Sequence, residues 1–323
     1  MASDALISVV VPVFDEAGGI ALFHDRTLRA LAAIPESRFE LIYVDDGSRD
    51  GSLGVLRGFA EADPRVRVLK LSRNFGHQIA ITAGMDEARG DCAVVIDADL
   101  QDPPEVIADL VEAWRKGFDV VYAVRNRRPG ESRMKLATSA AFYRLLRKIV
   151  GIDIPLDAGD FRLLSRRVLD ELGRMREKDR FVRGLVSWVG FRQTGVTYDR
   201  EERAAGETKY PYSKMIQFAL DGITSFSSVP LRLATWLGWV TSLMAFLYIL
   251  TLPIQWMRGI TVQGFPTIMA AVLFLGGVQL VCLGIVGEYL GRVFNEVKPR
   301  PLYLIEERLG GDGDHDAGEG SGR

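Results

Sequence analysis

Three short segments gather carboxylates: Pro12-Val13-Phe14-Asp15-Glu16, Val44-Asp45-Asp46-Gly47-Ser48 and Asp97-Ala98-Asp99-Leu100-Gln101-Asp102. Each follows an apolar run rich in Val and Ile, so each reads as the end of a strand. A single Asp-Gly-Ser is a turn, and an Asp after a strand is often a helix cap. Together, the three segments line carboxylates along one sheet edge, where they repel unless a cation or polar ligand resolves them. Asp97 and Asp99 form the sharpest pair, because alternate residues at a strand end project to one side. Two hard oxygen donors so placed suit Mg²⁺ or Mn²⁺, with a diphosphate completing the shell. Gln101 adds a neutral oxygen on that side if the extension continues. A zinc site is not expected, since no Cys pair exists and His24, His77 and His315 are scattered.

The elements that must position these groups alternate through the first half of the chain. Apolar runs at Leu6–Phe14, Glu40–Asp45, Val66–Leu71, Cys92–Asp97 and Asp119–Arg125 read as strands. Helical patterns at Ile20–Ile34, Ser52–Ala62, Gln78–Ala88 and Pro104–Lys116 separate them. Val- and Ile-rich strands between helices mean a parallel sheet covered on both faces. Ligands of such sheets sit beyond the carboxyl ends of the strands. Ser132–Val150 reads as a basic helix and Ser213–Val229 as an amphipathic, interfacial one. Residues 310–323 are rich in Gly and acidic residues and are expected to be disordered.

Composition narrows the class. The 323 residues are 48% hydrophobic and 25% charged, with a net charge of -2. A chain this apolar and balanced is not disordered throughout, and it carries no net attraction for nucleic acid. Two cysteines, Cys92 and Cys282, make no disulfide framework and point to a reducing, cytosol-facing setting. The charge is segregated. From Leu233 to Met257, and again from Gly259 to Gly287, there is no Asp, Glu, Lys, Arg or His. Each run exceeds the roughly 20 residues that a bilayer core requires of a helix. Lys209, Lys214 and Arg232 precede the first run and Arg292, Lys298 and Arg300 follow the second; only Arg258 lies between. Two spans with both termini in the cytoplasm follow from that bias. The N-terminal residues lack the basic region of a signal peptide.

The motifs resemble those of family 2 glycosyltransferases with the GT-A fold. More narrowly, the chain is similar to polyprenyl-phosphate glycosyltransferases: bactoprenol glucosyltransferases and dolichol-phosphate mannose synthases. Besides the three acidic segments, the resemblance rests on Ser72-Arg-Asn-Phe-Gly-His-Gln78, Asp157-Ala-Gly-Asp160-Phe-Arg162 and Arg203-Ala-Ala-Gly206-Glu-Thr-Lys209-Tyr210. Asp15 departs from the pattern, standing where many relatives are expected to carry Asn.

The resemblance implies roles. Asp15 and Asp46 would hold the base and ribose of a nucleotide sugar. Asp97, Asp99 and Gln101 would bind a cation that bridges the donor diphosphate. Arg203 and Lys209 would clamp phosphate, because a leaving nucleoside diphosphate accumulates negative charge. Asp157 would act on the acceptor as a base or by orienting it; a phosphate monoester is already mostly a dianion at neutral pH, with its second pKa near ~6. Arg125, Arg127 and Asp160 are expected near acceptor or donor phosphate, with Asp160 alternatively pairing with Arg162 or another arginine.

The expected organisation is a GT-A domain over residues 1–212, an interfacial helix over 213–230 and a two-helix hairpin over 231–290. A cytoplasmic segment over 291–309 and a disordered tail over 310–323 complete it. Within the cytoplasmic segment, Pro301–Glu306 would form a strand pairing with a neighbouring subunit. The expected activity is inverting transfer of one hexose, glucose from UDP-glucose first, to polyprenyl phosphate at the cytoplasmic face of the plasma membrane. GDP-mannose-dependent mannosyl transfer, a processive polysaccharide synthase and a non-catalytic membrane scaffold are the alternatives.

Overall fold

A computed structural model describes residues 4–125, 158–178, 180–199, 229–258 and 264–311. The chain divides into two units: Met1–Tyr143 with Ile152–Lys209 and Arg300–Arg323, and Arg144–Gly151 with Tyr210–Pro299. The first unit thus resumes after the second, so residues 210–299 are an insertion near the end of the larger fold.

That larger fold is built on an eight-stranded sheet. Its strands are β1 (Ala5–Val13), β2 (Ser37–Asp45), β3 (Val66–Leu71), β4 (Cys92–Val95), β5 (Val120–Arg125), β6 (Ala158–Ser165), β7 (Gln193–Tyr198) and β8 (Ile305–Leu309). Their spatial order is β7-β5-β6-β4-β1-β2-β3-β8. β1 runs parallel to both β2 and β4, β2 to β3 and β5 to β7. Two strands break the parallel rule: β6 lies antiparallel between β4 and β5, and β8 antiparallel on β3.

β1 shows why the centre is parallel. Seven consecutive residues, Ile7–Val13, are buried, because helices cover both faces. The covering helices are α1 (Ile20–Ala32), α2 (Ser52–Ala62), α3 (His77–Glu87), α4 (Ile107–Arg115) and α5 (Arg166–Arg174), joined by α6 (Val182–Val189). α1 buries Ile20, Phe23, His24, Thr27, Ala30 and Leu31, the three-and-four spacing of a one-sided helix. α3 lies close on β1 at Gly84, where a Cβ would collide with the Val10 side chain.

Three boundaries differ from the sequence reading in ways that matter. β2 begins three residues early, at Ser37. The expected helix Pro104–Lys116 opens as a 3-10 turn at Pro104–Val106 before α4. β4 stops at Val95, so Asp97 lies just beyond the strand and Asp99 in the turn that follows.

The strand expected at Pro301–Glu306 is β8, shifted to Ile305–Leu309, and it lies antiparallel on β3 of its own chain. Ion pairs Lys70–Glu306 (2.7 Å), Arg57–Glu307 (2.6 Å) and Arg308–Glu87 (2.9 Å) favour that edge. Just before it, the Ser72 N–H donates to the Leu304 carbonyl, and the Tyr303 hydroxyl donates to Asp86. Gly310 and Gly311, expected in the disordered tail, are placed against Val66 and Arg67.

The second unit contains α7 (Val229–Met257) and α8 (Phe265–Val297), in contact through the Cys282 thiol and the Ala234 carbonyl. Among the described residues one stretch, Phe274–Val297, is long and apolar enough to cross a membrane. It starts later than the expected second span, Gly259–Gly287. Trp236, Trp239 and Phe246 of α7 and Phe274 and Leu280 of α8 are exposed. The helix expected at Ser132–Val150, residues 213–228 of the expected interfacial helix and the tail from residue 312 lie outside the described residues.

Candidate active site

A cavity of about 270 Å³ opens beyond the carboxyl ends of β1 to β4. Residues following each of those strands line it: Phe14 and Glu16, Asp46, Asn74 and His77, Asp97 and Asp99. Neighbouring parallel strands end side by side, so groups far apart in sequence face one space.

Asp46 ties two of these loops together. Its carboxylate accepts hydrogen bonds from the N–H groups of Phe75 (2.7 Å) and Gly76 (2.9 Å). Burial raises its pKa against those two bonds. Gly47 permits the approach: it has φ +76°, and a Cβ there would stand 2.8 Å from the Asn74 nitrogen. Asp15, exposed and at φ +56°, turns Oδ1 onto the same loop and accepts from the Arg49 (2.7 Å) and Asp50 (3.3 Å) N–H groups. One oxygen of the expected nucleotide contact therefore braces the loop after β2. Asp45, fully buried, accepts from the Ser48 N–H through Oδ1, while Oδ2 has no hydrogen-bond partner among the described residues.

Asp97 and Asp99 both line the cavity, by way of a turn. Leu100 takes φ +59°, and the Gln101 N–H folds back to donate to Asp99 Oδ1 at 3.1 Å. The extension that would carry Gln101 to the same side does not continue, and Gln101 is outside the set lining the cavity. Asp97 Oδ1 is shut off from solvent without a hydrogen-bond partner among the described residues. Burial pushes the Asp97 pKa up to about 6; His77 opposes the rise, and the charges of Asp160, Asp102 and Asp99 add to it. A shielded, hard oxygen without a hydrogen bond, beside a second carboxylate, fits a divalent cation that keeps other ligand positions for substrate. Among the described residues no three His, Cys, Asp or Glu side chains form a complete metal cage.

Behind Asp97 stands a network that joins Asp160 to three residues without an expected role, His77, Gln78 and Arg183. His77 Nε2 lies 3.5 Å from Asp97 Oδ1 and 3.4 Å from Asp160 Oδ2. Asp160 is gripped bidentately by Arg183, at 2.8 and 2.9 Å, and accepts from the Gln78 amide at 3.3 Å. Burial works to raise the Asp160 pKa, but His77, Arg183 and Arg162 together hold it far below the usual carboxylate range. Asp160 was expected to pair with Arg162 or another arginine; Arg183 takes the pairing, while Arg162 donates to the Gly159 carbonyl at 2.7 Å. The signal for His77 and Gln78 was present: they open α3 immediately after a strand-end loop, within a quoted motif.

Arg125 is similarly engaged. Its Nε donates to the Tyr198 hydroxyl at 3.1 Å, and Nη2 lies 3.7 Å from the buried Asp102 carboxylate. The Tyr198 hydroxyl also donates to Asp102. The far end of the acidic turn is thereby fastened to β5 and β7. Asp157, Arg127, Arg203 and Lys209 lie outside the described residues.

Comparison with known proteins identifies the family. The family model for glycosyl transferase family 2 matches residues 8–173, and that for the GtrB C-terminal hairpin matches residues 229–293. A Bacillus subtilis (strain 168) protein, "Uncharacterized glycosyltransferase YkcC", is 50% identical over 304 residues, 94% of each chain. The Escherichia coli (strain K12) "Prophage bactoprenol glucosyl transferase homolog" is 42% identical, covering 93% of this chain and 98% of that one. The "Bactoprenol glucosyl transferase" of Shigella phage SfX is also 42% identical, covering 94% and 99%.

Proposed function

Because this chain belongs to glycosyl transferase family 2 and carries the GtrB C-terminal hairpin, we propose that it transfers one hexose from a nucleotide sugar to a polyprenyl phosphate. UDP-glucose is the proposed donor and undecaprenyl phosphate the proposed acceptor. Transfer inverts the anomeric carbon and takes place at the cytoplasmic face of the plasma membrane. The similarity to proteins named as bactoprenol glucosyl transferases along nearly their whole length supports the acceptor class. The observation that carries the reaction is the shielded oxygen of Asp97 beside Asp99 in a cavity at the strand ends.

In this reading Asp97 and Asp99 would hold Mg²⁺ or Mn²⁺. When bound, such an ion supplies neutralisation of the charge that develops on the departing diphosphate. Asp46 holds the two loops that form the nucleotide side of the cavity, with Asp15 bracing the loop after β2. Arg203 and Lys209 would clamp the diphosphate, stabilising the transition state more than the ground state. Asp157 would orient the acceptor phosphate and keep water from competing.

The hairpin serves the acceptor. A polyprenyl tail stays in the bilayer with its phosphate at the surface, and an enzyme anchored there searches in two dimensions. α7 and α8 would span the membrane with both termini cytoplasmic, their exposed Trp, Phe and Leu side chains meeting lipid. Residues 213–230 would lie along the interface.

The test is direct. The purified protein is given undecaprenyl phosphate and a panel of labelled nucleotide sugars, with and without chelator. A single hexose on the lipid, lost with chelator and lost in Asp99→Asn, is the expected result. Undiminished transfer by a folded Asp99→Asn protein removes the metal assignment. Preference for GDP-mannose changes the sugar, polymeric product changes the class, and donor binding without turnover makes the chain a scaffold.

A further inference from the structure

His77 occupies a special position in the cavity wall. It is the first residue of α3, delivered there by Gly76 at φ +101°, and its ring lines the cavity. Its Nε2 faces two carboxylates at once, Asp97 at 3.5 Å and Asp160 at 3.4 Å. The two are not equivalent. Asp160 is buried and held in place by the Arg183 fork and the Gln78 amide. Gln78 is held in turn, its side-chain oxygen accepting from the Val182 N–H at 3.1 Å. Asp97 Oδ1 has no hydrogen bond of its own among the described residues.

A carboxylate that must present an oxygen to a cation needs its rotation restricted, and outer-shell donors commonly provide this. Asp97 sits just past the end of β4, where the ladder no longer fixes the backbone. We propose that His77 is a positioning residue that orients the Asp97 carboxylate for the cation. Asp160, clamped by Arg183, holds the His77 ring from the other side. The sequence of contacts is Arg183 to Asp160 to His77 to Asp97, running from α6 and β6 to the turn that bears the proposed ligands. This rests on the reading of Asp97 and Asp99 as cation ligands.

The full-length protein in detergent, with UDP present, is titrated with Mn²⁺ and free Mn²⁺ is read by electron paramagnetic resonance. His77→Ala is expected to weaken Mn²⁺ binding about 10- to 100-fold. Asp160→Asn is expected to weaken it comparably, and the double variant no further than the stronger single one. His77→Gln, whose amide donors reach the same region as Nε2, should recover most of the affinity. Thermal melts of each variant verify that it is folded. Wild-type affinity in His77→Ala overturns the inference while leaving the metal reading intact. Additive losses in the double variant overturn the series arrangement, because two independent effects would then be at work. Absence of Mn²⁺ binding by the wild-type protein overturns the metal reading and this inference together.

Discussion

The Asp46 carboxylate accepts the Gly76 N–H at 2.9 Å, so the loop after β2 and the loop after β3 form one continuous wall. The same carboxylate takes the Phe75 N–H, leaving both donors satisfied in a half-buried setting. Asp46→Ala strands both. Each unmet donor costs about 1–3 kcal/mol. The donor KM is expected to rise by more than kcat falls, since the wall binds the nucleotide and does not touch the departing bond. Steady-state kinetics on a folded variant provide the check; an unchanged KM would separate Asp46 from the donor site.

Asp97 trades stability for function. Its pKa, raised to about 6 by burial, means that at neutral pH its ionised form is less favoured in the fold than in the unfolded chain. Asp97→Asn removes that charge and keeps the shape. In chelator at pH 7.5 the variant should melt higher than wild type, by about 1–2 kcal/mol after allowing for part exposure of the side chain. Transfer should be lost in the same variant. Calorimetry and the transfer assay together test this, and a lower melting temperature would contradict it.

His24 sets a pH limit on the fold. It is buried, stacks on Phe59 at 3.9 Å and meets the Tyr43 hydroxyl at 2.9 Å through Nδ1. Burial lowers its pKa below 6.5, against the pull of Asp25 and Asp63. The unfolded chain therefore binds this proton more readily than the folded one. The stabilising contribution is complete above about pH 6.5 and is lost as pH falls through the lower, folded value. Wild type should lose more thermal stability between pH 7 and pH 5 than His24→Gln. Parallel slopes for the two proteins would exclude His24 as the cause.

The returning strand supports the cavity from outside. β8 covers the edge of β3, and the Ser72 N–H donates to the Leu304 carbonyl where the chain enters the Ser72–Gly76 loop. Removing residues 303–311 exposes that edge and frees the loop entrance. Hydrogen exchange should quicken at amides 68–76 while β1 stays protected. Unchanged exchange at 72–76 would show the loop to be held by Asp46 alone.

Much of this protein was legible in one dimension. The helix Ser52–Ala62 and the strand Val66–Leu71 fall where periodicity places them, because both are decided by local spacing of apolar residues. The carboxylates at the ends of β1, β2 and β4 were marked by the change from Val-rich runs to Asp and Gly. The charge-free stretches around α7 and α8 needed only counting.

Partner choice was a different matter. Nothing local distinguishes Arg162 from Arg183 as the mate of Asp160; the packing of α6 near the start of β6 decides it. Strand alternation would set Gln101 on the side of Asp99, but the chain turns at Leu100, and Gln101 is outside the residues lining the cavity. A strand near the C-terminus was readable, yet its pairing with β3 joins residues more than 200 positions apart. The sequence by itself determined which elements form and which of them end in acid, since those follow from short-range sterics and hydrophobic periodicity. Only the tertiary structure decided which acid lining the cavity keeps an oxygen without a hydrogen bond and which is gripped by an arginine, because that depends on groups brought together by packing from distant parts of the chain.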